Sequence, residues 1–286
     1  MTYRDICNAL AAVGIESPSD DAALLIEHFC GVERAALVLC RERDFESEAL
    51  ACAVKKRAEH YPLQYILGRW GFYDSDLAVA EGVLIPRADT ELLVEQAIKQ
   101  LPHGARFADI GCGSGCISVS ILRARPDTVA VAVDISPTAR ALTVQNAENA
   151  GVRSRLEVVN GDMREEALWG RIGELDAVIS NPPYIPTDDI TTLAPELAFE
   201  PTLALDGGRD GLDFYRALIQ NSVSALKQGG FMLFECGVGQ TADIAAIAAD
   251  SGYESEIYFD IENRDRAIRI LLPSPKKERD NEAGNI

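Results

Sequence analysis

The chain has 286 residues, of which 47% are hydrophobic and 25% charged, as is typical of a globular protein of one large or two modest domains. Its formal net charge of −18 disfavours general binding to nucleic acid backbones, and a neutral or basic protein is the more obvious partner. No apolar run approaches the roughly 20 residues of a membrane-spanning helix, and the first residues lack a signal-peptide pattern. We therefore expect a cytoplasmic protein without a membrane segment and without direct nucleic-acid binding.

The first part of the chain, residues 1–75, has apolar side chains at helical spacing. Leu24, Leu25 and Phe29 illustrate the pattern, and the preceding segment Ser17–Asp20 has residues that can cap a helix. We therefore predict a small N-terminal helical bundle. The whole chain has only three histidines, and its seven cysteines form no C-x-x-C pair, so we expect reduced thiols and no metal site.

Glycine-punctuated stretches rich in β-forming residues follow the helical part. The stretches 65–73 and 77–86 together predict a short hairpin. We assign residues 76–88 as a hairpin linker to the next domain.

The segment 89–272 alternates between predicted strands and predicted helices. This alternation predicts an α/β fold with a doubly wound, mostly parallel seven-stranded sheet that is closed by an antiparallel edge. The charged tail, 273–286, is predicted to be disordered. The candidate strands are 105–110, 129–134, 155–160, 175–180, 230–236, 253–259 and 266–272, with helices over segments such as 137–150 and 211–227.

A glycine-rich turn follows the first strand of this segment. The strand ends near Asp109, and the chain then passes through Gly111, Gly113 and Gly115 into a helix, so that the backbone can approach a ligand closely. The pattern G-x-G-x-G departs from a dinucleotide fingerprint, because Cys116 stands where that fingerprint has its last glycine. This spacing resembles that of enzymes that use S-adenosylmethionine.

Two further acids end the next strands. Asp134 follows Val129–Val133, and its carboxylate can accept both hydroxyls of a ribose, while Asp162 and Met163 are expected beside an adenine ring. Each feature also has a purely structural explanation, since a glycine turn can be a tight connection and Asp134 can begin a helix. The expected cofactor-binding residues are Asp109, Gly111, Cys112, Gly113, Ser114, Gly115, Asp134, Asp162, Met163 and Asn181.

The segment Asn181–Tyr184, Asn-Pro-Pro-Tyr, follows the apolar run Val178–Ser180 and is the most informative motif of the chain. Proline lacks a backbone N–H, so the carbonyl of Pro182 is free of any regular ladder. The Asn181 side-chain oxygen and the Pro182 carbonyl can accept both hydrogens of a planar NH₂ group, while Tyr184 stacks on that group. We predict a nitrogen methyltransferase in which Asn181, Pro182 and Tyr184 are catalytic.

Taken together, the motifs resemble the release-factor glutamine N5-methyltransferase family, also called PrmC or HemK, over nearly the whole chain. The matching segments are 65–68, 83–87, 89–91, 109–115, 181–184, 199–201, 204–205, 210–212 and 265–266. The chain departs from the family at Ala88, where proline is usual, and near Ala198, where a bulky basic residue is common.

The resemblance implies a class I methyltransferase that uses S-adenosylmethionine and methylates the glutamine of the Gly-Gly-Gln loop in peptide-chain release factors. It also implies that residues 1–75 help to hold the release factor. The expected substrate-binding residues are Asn181, Pro182, Pro183, Tyr184 and Arg87, although Arg87 can equally form an ordinary ion pair.

Three other functions are compatible with the motifs. A sister enzyme that methylates a glutamine of a large-subunit ribosomal protein shares the Asn-Pro-Pro-Tyr motif and the architecture. DNA and RNA methyltransferases use the same motif on exocyclic amines, but the acidic charge and the lack of a target-recognition domain after Tyr184 argue against them. An adaptor that binds the cofactor without turnover is a third alternative, which the intact motif disfavours.

Overall fold

The described residues among the first 67 fold as a bundle of short helices. The computed structural model describes residues 1–37, 39 and 41–272. Thr2 begins the first helix with a capping box, in which its hydroxyl accepts the N–H of Asp5 and the Asp5 carboxylate accepts the N–H of Thr2. Buried aliphatic side chains, among them Ile6, Leu25 and Leu50, form the core of the bundle. The helices are α1 Tyr3–Ala12, α2 Pro18–Cys30, α3 Arg34–Leu37, α4 Glu48–Ala58 and α5 Leu63–Leu67.

The predicted hairpin forms, but over a shorter part of the chain than expected. Its strands are β1 Arg69–Phe72 and β2 Ser75–Ala78, which pair antiparallel. The expectation of strand from residue 65 was wrong, because Leu63–Leu67 is helical and ends at Gly68, which takes the left-handed conformation with a φ of 68°. Of the expected second strand, 77–86, only Leu77 and Ala78 pair in a sheet, and the chain turns at 81–83. The domain boundaries at 75 and 88 stay a prediction.

The prediction of a doubly wound sheet is confirmed. Seven strands lie in the order β5-β4-β3-β6-β7-β9-β8, with β9 antiparallel to both β7 and β8 and the other neighbours parallel. The predicted helix over 211–227 was too long, since its last residues open the strand that begins at Leu226. The strands are β3 Arg106–Ile110, β4 Val129–Asp134, β5 Leu156–Asn160, β6 Leu175–Ser180, β7 Leu226–Glu235, β8 Glu254–Phe259 and β9 Asp265–Leu271.

Helices cover both faces of this sheet, and each face has its own buried core. The core on one face contains apolar residues of α6, α7 and α8, and the core on the other contains those of α9, α10 and α11. Parallel strands covered in this way expose their carboxyl ends at one edge, where ligands bind in folds of this type. The helices are α6 Thr90–Gln100, α7 Cys116–Ala124, α8 Pro137–Asn149, α9 Glu166–Ile172, α10 Asp213–Asn221 and α11 Thr241–Asp250.

Two other expectations concern features outside this core. The predicted disordered tail, 273–286, lies outside the described residues. Within the part of the chain that the structure describes, every helix is too short or too polar to cross a lipid bilayer.

Candidate active site

A cavity of about 290 Å³ lies at the carboxyl edge of β3, β4 and β6. We call it the first cavity. Eight of the ten expected cofactor residues line it, and Asp109 and Gly115 do not. The eight are Gly111, Cys112, Gly113, Ser114, Asp134, Asp162, Met163 and Asn181.

Asp109 lies beneath the glycine loop, which we define as Gly111–Gly115. Its carboxylate is fully buried and accepts the N–H of Ser118 in α7 at 3.0 Å. Burial raises its pKa to about 7, against the hydrogen bonds from Ser118, which lower it. The structure therefore gives no support to a direct contact between Asp109 and a cofactor in the first cavity, and its carboxylate instead ties the strand end to the helix that follows the loop.

Gly115 also supports the loop from behind. It has a φ of 78° and is the N-cap of α7, and a Cβ built there lies 2.9 Å from Cγ2 of Thr143. A side chain at this position is therefore excluded both by the backbone conformation and by the close approach of α8. Gly115 therefore has a packing role behind the loop, and its contact with a cofactor stays a prediction.

Two polar residues of α8, which sequence analysis missed, hold the glycine loop in place. Thr143 donates its hydroxyl to the carbonyl of Gly113 at 3.0 Å. Asn146 donates to the carbonyls of Ser114 and Ala78, and its side-chain oxygen accepts the N–H of Ala78. The signal was present, because polar residues three positions apart on an otherwise apolar helix face indicate a buried contact.

Asp134 combines a structural and a ligand-facing position. Its carboxylate accepts the N–H of Gly113 at 3.0 Å and that of Ser136 at 2.8 Å. The helix cap proper is Ser136, whose hydroxyl accepts the N–H of Ala139. A carboxylate can accept about four hydrogen bonds, so Asp134 retains acceptor capacity toward the first cavity.

Asp162 and Met163 lie on the other side of the same cavity. Arg164 donates to both carboxylate oxygens of Asp162, and this ion pair lowers the Asp162 pKa. The methyl group of Met163 lies 3.4 Å from the point where a Cβ of Gly111 would stand, so the thioether side chain contacts the glycine loop. The two residues thus offer an anionic edge and an apolar surface side by side.

The motif Asn181–Tyr184 leaves the end of β6 and separates two cavities. The amide nitrogen of Asn181 donates to the hydroxyl of Thr90 at 3.1 Å, while its amide oxygen accepts no hydrogen bond from the described residues. The Pro182 side chain is buried and borders neither cavity, and no described residue donates to its carbonyl. Pro183 lines the first cavity, and Tyr184 lines the second.

The second cavity, of about 400 Å³, lies beside the first and shares Asn181 with it. Arg87 borders both cavities and forms an ion pair with Glu200, whose other carboxylate oxygen accepts the N–H of Ile85 at 2.9 Å. Glu200 is buried, so this pair anchors the insert 185–200 to the segment that follows the hairpin. A direct contact between Arg87 and a substrate stays a prediction.

Glycines surround Tyr184 closely. A Cβ at Gly207 would lie 2.7 Å from the Tyr184 Cα, and one at Gly211 would overlap the Tyr184 carbonyl oxygen. Gln240 donates to that same carbonyl at 3.0 Å. These contacts fix the backbone of Tyr184. Burial holds the pKa of the Tyr184 hydroxyl well above its usual range, so the side chain is neutral.

Comparison with known proteins agrees with this geometry. Residues 2–68 match the PrmC N-terminal domain, and residues 87–200 match the methyltransferase small domain. A methyltransferase structure from Pyrococcus furiosus has a TM-score of 0.52 at 14% identity, over 70% of this chain and 90% of that one, which shows the fold alone.

Two relatives carry the comparison further. The release factor glutamine methyltransferase of Geobacter sulfurreducens is 40% identical over 250 residues, which cover 85% of this chain and 86% of that protein. The protein of the same name from Rhodospirillum rubrum is 38% identical over 265 residues, which cover 91% and 80%. The chain belongs to the family of release factor glutamine methyltransferases.

Proposed function

We propose that the chain transfers a methyl group from S-adenosylmethionine to the side-chain amide nitrogen, N5, of the glutamine in the Gly-Gly-Gln motif of peptide-chain release factors. The observation that carries this proposal is that two cavities meet at Asn181. One cavity has the residues of a nucleoside site, and the other is bordered by Tyr184 of the Asn-Pro-Pro-Tyr motif. A methyl donor and an amide can therefore approach each other at one side chain.

The first cavity fits the cofactor by the chemistry of its residues. Asp134 has acceptor capacity for the two ribose hydroxyls, and Met163 offers an apolar surface for a purine ring. The glycine loop brings backbone close to the ligand because it lacks side chains at Gly111 and Gly113. When bound, S-adenosylmethionine supplies an electrophilic methyl group on a sulfonium.

The chain's own residues then orient the acceptor nitrogen. On this proposal the Asn181 amide oxygen, where the two cavities meet, accepts one hydrogen of the glutamine NH₂ group. The assignment of the second hydrogen to the Pro182 carbonyl stays a prediction, because Pro182 lines neither cavity. Because an amide lone pair is delocalised into the carbonyl, the nitrogen is a poor nucleophile, and fixing its direction matters more than removing a proton beforehand. Alignment of two reactants contributes roughly 7 to 11 kcal/mol to such reactions. Tyr184 covers the flat face of the amide.

The N-terminal bundle contacts the insert that forms a wall of the second cavity. Arg57 of α4 donates to Asp21 at 2.7 Å and to Glu196 of the insert at 3.1 Å, and His60 lies 3.2 Å from the same Glu196 oxygen. Glu196 and Leu197 both line the second cavity. These contacts support the proposal that residues 1–75 help to hold a protein substrate, and the match of residues 2–68 favours a release factor over the ribosomal protein.

The test is a substrate comparison with the purified chain. Labelled S-adenosylmethionine is incubated in parallel with a release factor, the large-subunit ribosomal protein, DNA and tRNA. We expect label in the Gly-Gly-Gln peptide, located by mass spectrometry, and none in a matched release factor with Ala in place of that glutamine. Label confined to the ribosomal protein or to nucleic acid refutes the proposal.

A further inference from the structure

Glu235 is a buried carboxylate that the mechanism above does not use. It ends β7, is 1% exposed, and lines the second cavity beside Asn181. Neither of its side-chain oxygens has a hydrogen-bond partner among the described residues. An ionised carboxylate without partners is costly inside a protein, so its position at the reaction site calls for a function.

Thr90 contacts Asn181 and lies close to Glu235. It is the first residue of α6 and is 1% exposed. Its hydroxyl oxygen accepts a hydrogen bond from the Asn181 amide nitrogen at 3.1 Å. The hydroxyl proton of Thr90 is not needed for that bond. The Thr90 and Asn181 side chains are close enough to the Glu235 carboxylate to lower its pKa, although neither lies within hydrogen-bond distance of it, so the Thr90 proton can be directed at Glu235.

The donor and acceptor capacities of Glu235, Thr90 and Asn181 determine the orientation of the Asn181 amide. An ionised carboxylate only accepts hydrogen bonds, so the Thr90 hydroxyl has to point its proton at Glu235 and its lone pair at Asn181. A lone pair selects the NH₂ end of the Asn181 amide, and the amide oxygen is then turned toward the cavities. A protonated carboxyl can donate instead, which removes this selection.

We propose that Glu235 is a positioning residue that acts through the Thr90 hydroxyl to hold the Asn181 amide with its oxygen toward the substrate. This inference rests on the proposed function, because that oxygen is the acceptor for the glutamine NH₂ group. If the Asn181 amide is reversed, its NH₂ group faces the NH₂ group of the substrate glutamine. Both groups are donors, so no hydrogen bond forms and the substrate is not oriented.

The charged neighbours of Glu235 set the pH at which the arrangement is lost. The Glu235 pKa is raised to about 7, chiefly by burial and also by Asp89 at the start of α6, whereas Thr90, Arg266 of β9 and Asn181 lower it. Tyr184, Tyr215, Cys116 and Cys236 also interact electrostatically with Glu235, and all four are neutral because burial raises their pKa values. The Glu235 carboxylate is therefore present above pH 7 and is lost as the pH falls through that value.

The first experiment measures kcat and KM of full-length variants from pH 5.5 to 9 with a release factor as substrate. In the wild type, we expect kcat to fall about tenfold per pH unit below 7. Glu235→Gln should lower kcat at pH 8 by about tenfold or more, remove this inflection and leave the KM for S-adenosylmethionine within about threefold. Thr90→Val should behave like Glu235→Gln, and Thr90→Ser should keep both the rate and the inflection.

Each contrary result has a defined meaning. A Glu235→Gln enzyme with wild-type kcat at pH 8, or one that keeps the inflection, overturns the proposal. So does a Thr90→Val enzyme that keeps the inflection, because Glu235 would then act without Thr90. Equal losses of thermal midpoint, cofactor affinity and rate at every pH, in both variants, also overturn it in favour of a structural role.

A second measurement does not depend on activity. The side-chain ¹⁵N resonance of Asn181, identified by its absence in Asn181→Ala, is followed by NMR over the same pH range. We expect it to titrate with a midpoint near 7 in the wild type, as the Glu235 pKa predicts, and to be flat in Glu235→Gln and Thr90→Val. A flat wild-type resonance overturns the inference, whereas failure of the wild type to methylate any release factor overturns the proposed function alone.

Discussion

Replacing Asp109 with Asn should stabilise the folded protein, and the gain should increase with pH. Asp109 is fully buried, one of its carboxylate oxygens has no partner, and burial raises its pKa from 3.8 to about 7. An Asn at this position can still accept the N–H of Ser118 through its amide oxygen. The substitution therefore removes a buried charge and keeps the observed hydrogen bond.

The sign and the magnitude follow from proton linkage. A carboxyl whose pKa is higher in the folded state than in the unfolded state stabilises the fold below pH 4, and this stability is lost as the pH rises through 7. The difference is about three pKa units at about 1.4 kcal/mol each, so the penalty at pH 8 reaches up to about 4 kcal/mol. The free energy of unfolding of Asp109→Asn should therefore exceed that of the wild type increasingly between pH 4 and pH 7, and the difference should be constant above pH 7.

Urea denaturation at pH 5, 6, 7 and 8 tests this prediction. Trp70, the other tryptophan, is replaced by Phe in both proteins so that fluorescence of the buried Trp169 is the probe of the catalytic domain. Glu235 titrates over a similar range in both proteins, so the comparison between wild type and variant isolates Asp109. A difference in unfolding free energy that does not change with pH refutes the reasoning. So does a wild type that gains stability relative to the variant as the pH rises.

Three other substitutions separate the functions of the site. Asn181→Ala should reduce methyl transfer to background while the cofactor dissociation constant, measured by calorimetry, changes by less than about tenfold; a variant that keeps most of its activity contradicts the assigned role. Asp134→Ala should instead weaken cofactor binding by about tenfold or more, through loss of charge-assisted hydrogen bonds, and unchanged affinity counts against the ribose contact. Gly211→Ala should lower kcat about tenfold or more because its Cβ displaces the Tyr184 carbonyl. Gly229→Ala is the matched control, since it has the same φ of 77° but open space around it, and it should cost about 1 kcal/mol of stability with unchanged kcat; equal loss of activity in both glycine variants contradicts the packing argument.

The fold was predictable because its signals are local. The apolar run Val129–Val133 and the acid that follows it indicate a strand and its end without any knowledge of the neighbours. The hairpin position was not predictable by the same logic. Tyr65, Ile66 and Leu67 are β-forming residues that also fit a short buried helix, and the left-handed conformation of Gly68 decided between the two.

The interactions of the site residues were less predictable than their identities. Thr90 and its partner Asn181 are 91 positions apart. Glu235 follows apolar residues of β7 that indicate only a buried strand. Such contacts depend on which strands become neighbours, and no local periodicity encodes that order. The hydrogen bond of Asp109 to Ser118 was not predictable for the same reason, since a strand-end acid can face either the ligand or the helix behind the loop, and its contact with a cofactor stays a prediction.

The strand order places Asn181 between the ends of two neighbouring strands. Because β6 lies between β3 and β7, Asn181 stands between two strand ends that both carry a buried carboxylate, Asp109 and Glu235. Burial raises the pKa of each to about 7, so each destabilises the fold at neutral pH and above. Asp109 fixes the loop of the first cavity, and on our proposal Glu235 fixes the Asn181 amide. Glu235→Gln should therefore raise stability while it lowers the precision of the site, whereas Asp109→Asn keeps the bond to Ser118 and should raise stability without that loss.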